Sequence, residues 1–243
     1  MYEDNRSIMQ DDIYTPWTRP EGWPNLDSLN LEMSGTESFI YMTFRTGHID
    51  DVFNCGWTLV SGQSLSIEIG DITNGEFVSS YGPYAKSSNG TFTFPFTPDA
   101  DFEEGYAVIK ITGRFSKFYL KDYTRAAADG GGTIKYYMQP VMERIWYVPE
   151  MTHFYDGSSA STTGNGTYTI ERDKISNNNG AALTYMYYAW GYCYRLQSLD
   201  ISHLYTQNVT HMANAFSQCK MLEHIDVSHF NTAKVTNISY MFY

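Results

Sequence analysis

Residues 196–204 read Leu-Gln-Ser-Leu-Asp-Ile-Ser-His-Leu, and residues 222–230 read Leu-Glu-His-Ile-Asp-Val-Ser-His-Phe. The two stretches lie 26 positions apart (222 − 196), and each places apolar residues at its first, fourth, sixth and ninth positions. This spacing is typical of a leucine-rich repeat, in which a short strand directs its apolar side chains into the core of a coil. One coil cannot bury these residues alone, so the pattern predicts a stacked solenoid.

The same register extends on both sides of these strands. Thr206, Val209, Thr210 and Phe216 recur 26 positions later as Thr232, Val235, Thr236 and Phe242, and Leu183, Thr184, Trp190 and Cys193 precede Val209, Thr210, Phe216 and Cys219 by the same interval. We therefore place the repeats at residues 183–243. The predicted repeat core consists of Leu196, Leu199, Ile201, Leu204, Phe216, Leu222, Ile225, Val227, Phe230 and Phe242. Stacking predicts contacts between Ile201 and Val227, and between Phe216 and Phe242.

Residues 28–149 show a period of two instead. Apolar residues alternate at Leu65, Ile67 and Ile69, at Phe92, Phe94 and Phe96, and at Ala107, Ile109 and Ile111. Further candidate strands are 39–44, 116–123, 133–138 and 144–148. Turn signals separate them at Gly35, Ser61-Gly62, Asn74-Gly75, Asn89-Gly90, Gly113 and Gly130-Gly131-Gly132. The pattern predicts an antiparallel β-sandwich or barrel-like domain that folds without the repeats, so the whole chain is mainly β.

Two other segments complete the chain. Residues 150–182 are rich in Ser, Thr, Asn and Gly, which indicates a polar linker, with a short strand expected at 167–170. Residues 1–27 form an arm in which positions 16–24 hold three prolines and two tryptophans, a composition that excludes a helix. Trp17 and Trp23 are the candidate assembly interface, because large aromatic side chains often provide the binding energy of interfaces.

Composition excludes several functional classes. The net charge is −11 and no Lys/Arg cluster exists, so a nucleic-acid partner is not expected. No apolar run approaches the roughly 20 residues that cross a bilayer, so we expect no membrane insertion. A signal peptide is absent or was removed before this numbering begins, and Met1 favours its absence. Three cysteines are too few for a disulfide framework. Cys193 and Cys219 stack by register, where two buried thiols are favoured over a disulfide.

Catalytic, cofactor and metal sites are not predicted. Asp99, Asp101, Glu103 and Glu104 form an acidic loop without Ca²⁺-loop spacing, and we interpret it as solvated. His203, His211, His224 and His229 recur near one another in the repeats, yet no cysteine or carboxylate accompanies them in ligand spacing. Asp200 and Asp226 are interpreted as outward, solvated strand positions. The stretch 185–190, Tyr-Met-Tyr-Tyr-Ala-Trp, admits two readings, stacking on sugars or covering the core of the first repeat.

The repeat resembles the BspA-like leucine-rich repeats of bacterial surface proteins. The resemblance rests on residues 226–238, Asp-Val-Ser-His-Phe-Asn-Thr-Ala-Lys-Val-Thr-Asn-Ile, followed by Met241-Phe242. It implies adhesion and surface recognition, with a host surface protein or glycan as the partner. More weakly, the stretch from Trp17 to Trp23, followed by an all-β domain, is similar to the start of some tailed-phage virion proteins.

Bacterial surface proteins normally carry a signal peptide or lipobox, which we do not expect here. The combined resemblances therefore imply a structural, adhesive, non-enzymatic protein at the surface of a bacteriophage virion, as a head or tail fibre. Its partners would be other virion proteins or further copies of itself in a homo-oligomer. The alternative is a BspA-like adhesin on a bacterial cell surface, and a carbohydrate-active enzyme is the third option.

The end of the sequence carries one more expectation. Ile238, Met241, Phe242 and Tyr243 form an apolar terminus, whereas a solenoid needs a cap with a polar outer face. We expect further repeats beyond Tyr243 or a neighbouring chain that covers this end, because an open apolar edge invites association.

Overall fold

The computed structural model describes residues 36–46, 52–71, 77–93, 105–120, 123–126, 133–136, 141–154, 170–177, 182–193 and 195–243. Over these ranges the protein is mainly β and contains no helix. The strands are β1 (Ser38–Thr46), β2 (Val52–Leu59), β3 (Leu65–Asp71), β4 (Phe77–Tyr84), β5 (Ser88–Thr93), β6 (Gly105–Gly113), β7 (Phe115–Leu120), β8 (Tyr123–Ala126), β9 (Thr133–Tyr136), β10 (Val141–Tyr147), β11 (Arg172–Ser176) and β12 (Ser198–His203).

These strands form one large sheet and two small ones. The large sheet has seven strands in the order β12-β11-β10-β1-β6-β3-β4. It is mixed, because pairing is antiparallel from β10 to β4 and parallel from β10 through β11 to β12. The small sheets are β5-β2-β7 and β8-β9. Cys55, Trp57 and Phe118 of the three-stranded sheet belong to the same hydrophobic cluster as the buried face of the large sheet.

Period-two alternation builds the centre of the large sheet. Ile40, Ile111 and Ile67 lie opposite one another on β1, β6 and β3, and Met42, Ile109 and Ile69 form the next row. All six side chains are fully buried. The predicted faces of the strands at 65–69 and 107–111 are therefore confirmed for the described side chains. Phe92 lies in β5, and Phe94 and Phe96 lie outside the described residues.

The turn signals have mixed outcomes. Ser61-Gly62 is a turn, and Gly113 has a φ of +146° where the chain passes from β6 toward β7. The prediction for Asn89-Gly90 was wrong, because both residues lie inside β5 and pair with Gly56 and Cys55. Glycine is usually unfavourable inside a strand, but the pairing of Gly90 with Cys55 of β2 outweighs this local preference. Gly35, Asn74-Gly75 and Gly130–Gly132 lie outside the described residues.

Gly113 offers a direct test of this arrangement. A Cβ atom at this position would lie 2.3 Å from the Ser64 carbonyl oxygen and 2.8 Å from the Leu65 Cα. Gly113→Ala should therefore lower the free energy of unfolding by about 3 kcal/mol, from backbone strain and overpacking together. Gly62→Ala is the matched control, since its φ is +73° but no atom lies within 4 Å of the added Cβ. Thermal melting should show the larger loss for Gly113→Ala; equal losses would contradict the close packing at Gly113.

The described parts of the stretch 150–182, which are residues 150–154, 170–177 and 182, differ from the predicted polar linker. They contain β11, a central strand of the large sheet, and Ile170 and Ile175 are buried. Met151 and Phe154 are also buried, next to the end of β10. Residues 167–169 of the expected short strand lie outside the described residues, and the observed strand begins later, at Arg172. The repeats and the upstream strands consequently share one sheet and one hydrophobic cluster, which contradicts the predicted independent core.

A buried charged network fastens this junction. The Arg144 guanidinium on β10 donates to the Asp173 carboxylate on β11 through Nε (3.1 Å) and Nη2 (2.6 Å). The indole N–H groups of Trp146 and Trp190 donate to the same carboxylate at 2.9 and 2.7 Å. The charged side chains are 1% and 0% exposed. Four donated hydrogen bonds compensate the desolvation of Asp173, and breaking them would leave a buried charge unpaired.

The repeat region contains two full copies of the 26-residue period and the start of a third. We call residues 183–208 repeat one, residues 209–234 repeat two and residues 235–243 repeat three, following the 26-residue period. Parallel bridges join His153 to Tyr185, Tyr185 to His211, and His211 to Asn237. The strand predicted in repeat one is β12, but residues 222–230 of repeat two lack the backbone pairing of a strand. β12 is therefore the edge of the large sheet.

Four threonines tie these copies together. Thr152, Thr184, Thr210 and Thr236 each donate their backbone N–H at 2.9 Å to the preceding element, beginning at the Ser116 carbonyl of β7 and then from threonine to threonine. Their hydroxyls donate to the same carbonyls at 3.0–3.2 Å. We call this set the threonine ladder. Each threonine donates its backbone N–H and its hydroxyl to one carbonyl of the preceding element, so successive copies keep the same register.

Candidate functional site

An aromatic column runs through the core beside the threonine ladder. Trp146, Phe154, Trp190, Phe216 and Phe242 follow one another with ring centroids 4.4, 4.7, 5.2 and 5.4 Å apart. The predicted contact between Phe216 and Phe242 is confirmed by this stacking. The contact between Ile201 and Val227 stays a prediction. The column is a packing element, since its first four members are buried.

A second group of rings lies outside the core, on repeat one. Tyr185, Tyr187, Tyr188 and Tyr192 are half-buried, while the residues between them, Met186, Ala189 and Trp190, are fully buried. Tyr187 meets Tyr188 edge-on at 4.5 Å, and Tyr188 stacks on Tyr192 at 5.8 Å with an interplanar angle of 20°. We call these four residues the tyrosine surface. Met186, Ala189 and Trp190 are buried in the core, as the covering reading of residues 185–190 predicts, and stacking on sugars stays a prediction for the half-buried tyrosines.

Two histidines extend the tyrosine surface along the repeats. Tyr185 lies between the rings of His153 and His211, with centroid distances of 5.3 and 5.0 Å. The His211 ring is nearly parallel to that of Tyr185, at 10°. Burial lowers the pKa of His153, and the nearby Lys117 charge acts in the same direction. His153 is therefore uncharged at neutral pH, and the row presents aromatic rings with polar edges.

The backbone beneath the tyrosine surface is unusual. Tyr188 and Tyr192 have positive φ angles, 54° and 66°. The equivalent residues of repeat two, Asn214 and Gln218, have the same conformation at 56° and 62°, as does Tyr240 of repeat three at 56°. L-residues with large side chains rarely adopt this region, whereas asparagine tolerates it. The repeat therefore contains two left-handed positions, and repeat one fills both with tyrosine.

The phenol groups are coupled to one another. Burial raises the pKa of Tyr188 to about 12, and the neighbouring phenols of Tyr187 and Tyr192 contribute through their charges and hydrogen bonds. The Tyr188 phenol therefore stays protonated at physiological pH. Residues 182–193 contain no Asp, Glu, Lys or Arg. The result is an uncharged surface of ring faces and hydroxyl groups.

The predicted repeat-core residues occupy three environments. Leu196, Ile201, Leu204 and Phe216 are buried. Half-buried positions packed against the core are Leu199, Leu222, Ile225, Val227 and Phe230. Phe242 is 61% exposed although one face covers Phe216, and Ile238, Tyr240 and Tyr243 near it are also exposed. The candidate interface residues Trp17 and Trp23 lie outside the described residues.

The other residues that the sequence offered as possible ligands lie in different environments. His203 and His229 are exposed; His203 contacts the Ser202 hydroxyl, and His229 lies edge-on to Phe230. In the described ranges, no group of three His, Cys, Asp or Glu side chains could hold a metal ion. The acidic loop 99–104 lies outside those ranges. The Asp200 and Asp226 carboxylates accept the backbone N–H groups of Ser202 and Ser228, which are local turn contacts.

The cysteines of the repeats are free thiols. Cys193 is fully buried, and the Cys219 Sγ donates to the Trp190 carbonyl at 3.1 Å. Burial raises the pKa of the Cys219 thiol to about 12, so the thiolate needed for nucleophilic chemistry does not form at neutral pH. This arrangement is typical of cysteines that serve as small packing residues.

Comparison with known proteins adds one family. Residues 158–243 match the family described as "Mycoplasma protein of unknown function, DUF285". The matched segment includes β11, β12 and the tyrosine surface. No curated protein and no solved structure matches this chain. Within the part of the chain that the structure covers, no helix is long and apolar enough to cross a membrane.

Proposed function

We propose that the C-terminal part of the chain is a short leucine-rich-repeat solenoid and that the strands before it form a sandwich-like support. The 26-residue period, the parallel bridges and the threonine ladder support the first part. The common hydrophobic cluster of the seven-stranded and three-stranded sheets supports the second. A solenoid of this kind is a rigid element with an extended outer surface, which suits recognition.

The proposed function is structural and adhesive. The protein would attach to a bacteriophage virion through its N-terminal part, as a head or tail fibre, and present the repeats at the virion surface for binding to a host. The observation that carries the recognition role is the tyrosine surface, where four large aromatic side chains remain half-buried beside a complete core. Tyrosine is enriched at binding interfaces because its ring is apolar and its hydroxyl is polar.

The attachment role rests on the arm. Trp17 and Trp23 belong to a proline-rich segment that is too short to bury them by itself. We propose that they dock to other virion proteins or to further copies of this chain in a homo-oligomer. We propose no catalytic activity and no cofactor, because the tyrosine surface combines no nucleophile, base and acid in the manner of a catalytic site.

One observation favours a second candidate function. The family that matches residues 158–243 is described from Mycoplasma, which is a cellular bacterium and not a phage. A BspA-like adhesin on a bacterial cell surface would use the same repeats for the same kind of recognition. The two candidates differ in where the protein is found and agree on binding to an external surface.

The location and the binding can be tested together. Mass spectrometry of purified phage particles and of proteins released from intact bacterial cells should find this chain in the particles; its presence only on cells would favour the adhesin.

The purified full chain should also adhere to bacterial cells of the host strain. Trp17→Ala combined with Trp23→Ala should abolish particle docking while adhesion and folding persist. A protein found only in the cytosol, with no adhesion, would contradict both candidates.

A further inference from the structure

Repeats one and two provide an internal comparison, because their backbones make the same hydrogen bonds. Tyr188 N–H donates to the Ala213 carbonyl at 3.1 Å, and Asn214 N–H donates to the Ser239 carbonyl at 2.9 Å. Tyr192 N–H donates to the Ser217 carbonyl at 2.7 Å, and the equivalent bond from Gln218 N–H has the same length. The turn bonds after these residues also recur in both repeats. One backbone is therefore built with two different sets of side chains.

The side chains differ at all four positions of the tyrosine surface. Tyr185, Tyr187, Tyr188 and Tyr192 correspond to His211, Ala213, Asn214 and Gln218. Repeat two forms its bonds without any tyrosine at these positions, so the fold does not require the rings. At the left-handed position of Tyr188, asparagine is the more favourable residue. Conformational strain that the fold does not need is typical of binding sites.

We propose that the tyrosine surface, together with His153 and His211, is a binding site for an uncharged glycan of the host surface. This inference rests on the proposed adhesive function and names its ligand class and its residues. The face of a sugar ring carries C–H groups that pack on aromatic rings, and its edge carries hydroxyls that bond to phenol and imidazole groups. The tyrosine surface offers both kinds of group, on rings that are half-buried.

Charge and size favour a glycan over other ligands. Residues 182–193 are uncharged, and the charge near the site is that of Lys117 beside His153. The net charge of −11 over the whole chain disfavours an acidic ligand. Successive parallel bridges join His153, Tyr185 and His211, and three positions at strand spacing span about 10 Å. That is the length of a short oligosaccharide. A stable protein partner would bury about 800 Å² on each side, far more than one row of half-buried rings offers.

The test replaces the tyrosine surface with the residues of repeat two. The variant carries Tyr185→His, Tyr187→Ala, Tyr188→Asn and Tyr192→Gln in the full chain. The probes are an array of neutral oligosaccharides built from glucose, galactose, mannose and N-acetylglucosamine, followed by calorimetric titration of the best binder. We expect the native chain to bind at least one of them and the variant to bind at least tenfold more weakly, with an unchanged or higher melting temperature. Tyr240→Asn is the control, because Tyr240 occupies the same left-handed position in repeat three.

The outcomes separate this inference from the function on which it rests. Weaker binding by the four-residue variant and normal binding by Tyr240→Asn would support the glycan site. A variant that loses binding only because its melting temperature falls would overturn it, since the tyrosines would then be structural. If the native chain adheres to host cells but binds no neutral oligosaccharide, or if the variant adheres equally well, the glycan site is wrong and the adhesive function stands. If the native chain does not adhere at all, the proposed function itself fails.

Discussion

Replacing Asp173 with Ala is expected to lower the free energy of unfolding by about 3–5 kcal/mol, the usual consequence of breaking a buried ion pair. The substitution removes the acceptor of Arg144 and of both indole N–H groups, at a site where the charged side chains are at most 1% exposed. For a protein of this size each kcal/mol shifts the melting temperature by roughly 2–4 °C, so a loss on the order of 10 °C should appear in thermal melts.

The control for this prediction is Asp200→Ala. Asp200 pairs with Lys174 at 3.2 Å, but the two side chains are 42% and 36% exposed. Exposed pairs contribute at most about 1 kcal/mol, so the control should melt within a few degrees of the native protein. Similar losses for the two variants would show that the Asp173 network does not hold the junction.

The second large effect concerns the boundary between the strands and the repeats. A chain that ends at Val148 should lose its cooperative melting transition, although the alternation of its apolar residues predicted that this part folds alone. The truncation exposes β10 as a sheet edge and leaves the Arg144 guanidinium, normally buried, without Asp173. It also removes Phe154, which packs on Trp146, and Trp190, which packs on Phe154 in the aromatic column.

A longer truncation provides the comparison. Ending the chain at Lys220 keeps β11, β12, the Asp173 network and the buried ion pair between Arg195 and Glu171. This chain should retain a cooperative transition at a lower temperature than the native protein, measured by circular dichroism and calorimetry. If the chain ending at Val148 melts as cooperatively as the longer one, the upstream strands have a separate core after all.

Periodic apolar positions made much of this architecture predictable. The alternation at 65–69 and 107–111 indicated the strands whose isoleucines form the central rows, because a two-residue period directs every second side chain into the core. The 26-residue period indicated which residues share a register, and the stacking of Phe216 on Phe242 follows it. These signals are local or regularly spaced, so they are visible in one sequence.

The strand β11 was missed for a specific physical reason. Ile170, Asp173 and Ile175 stand 26 positions before Leu196, Leu199 and Ile201, so the repeat register extends one copy further back. At position 173 a carboxylate stands where the next copy has an inward leucine, and this interrupts the apolar pattern. The segment therefore has the composition of a polar linker. Asp173 is acceptable there only because Arg144 and Trp146 supply donors from another strand. Tertiary partners of this kind cannot be inferred from local composition.

The tyrosine surface was predictable only in part. The stretch 185–190 was recognisable as aromatic, but the outward rings could not be separated from the inward ones. Tyr188 has a left-handed backbone conformation, so residues 185–190 follow neither a strand nor a helix period. Comparison of repeat one with repeat two marks Met186, Ala189 and Trp190 as inward, because Met212, Ala215 and Phe216 are apolar at the same positions.

The threonine ladder stacks the repeats in one register. Residue-resolved amide hydrogen exchange, measured by NMR on the full chain, is the test of this stacking. The backbone N–H groups of Thr184, Thr210 and Thr236 each donate to the preceding threonine at 2.9 Å, so all three amides should exchange far more slowly than in a free peptide. Exchange of the Thr184 and Thr210 amides at free-peptide rates in the folded protein would contradict the stacked arrangement.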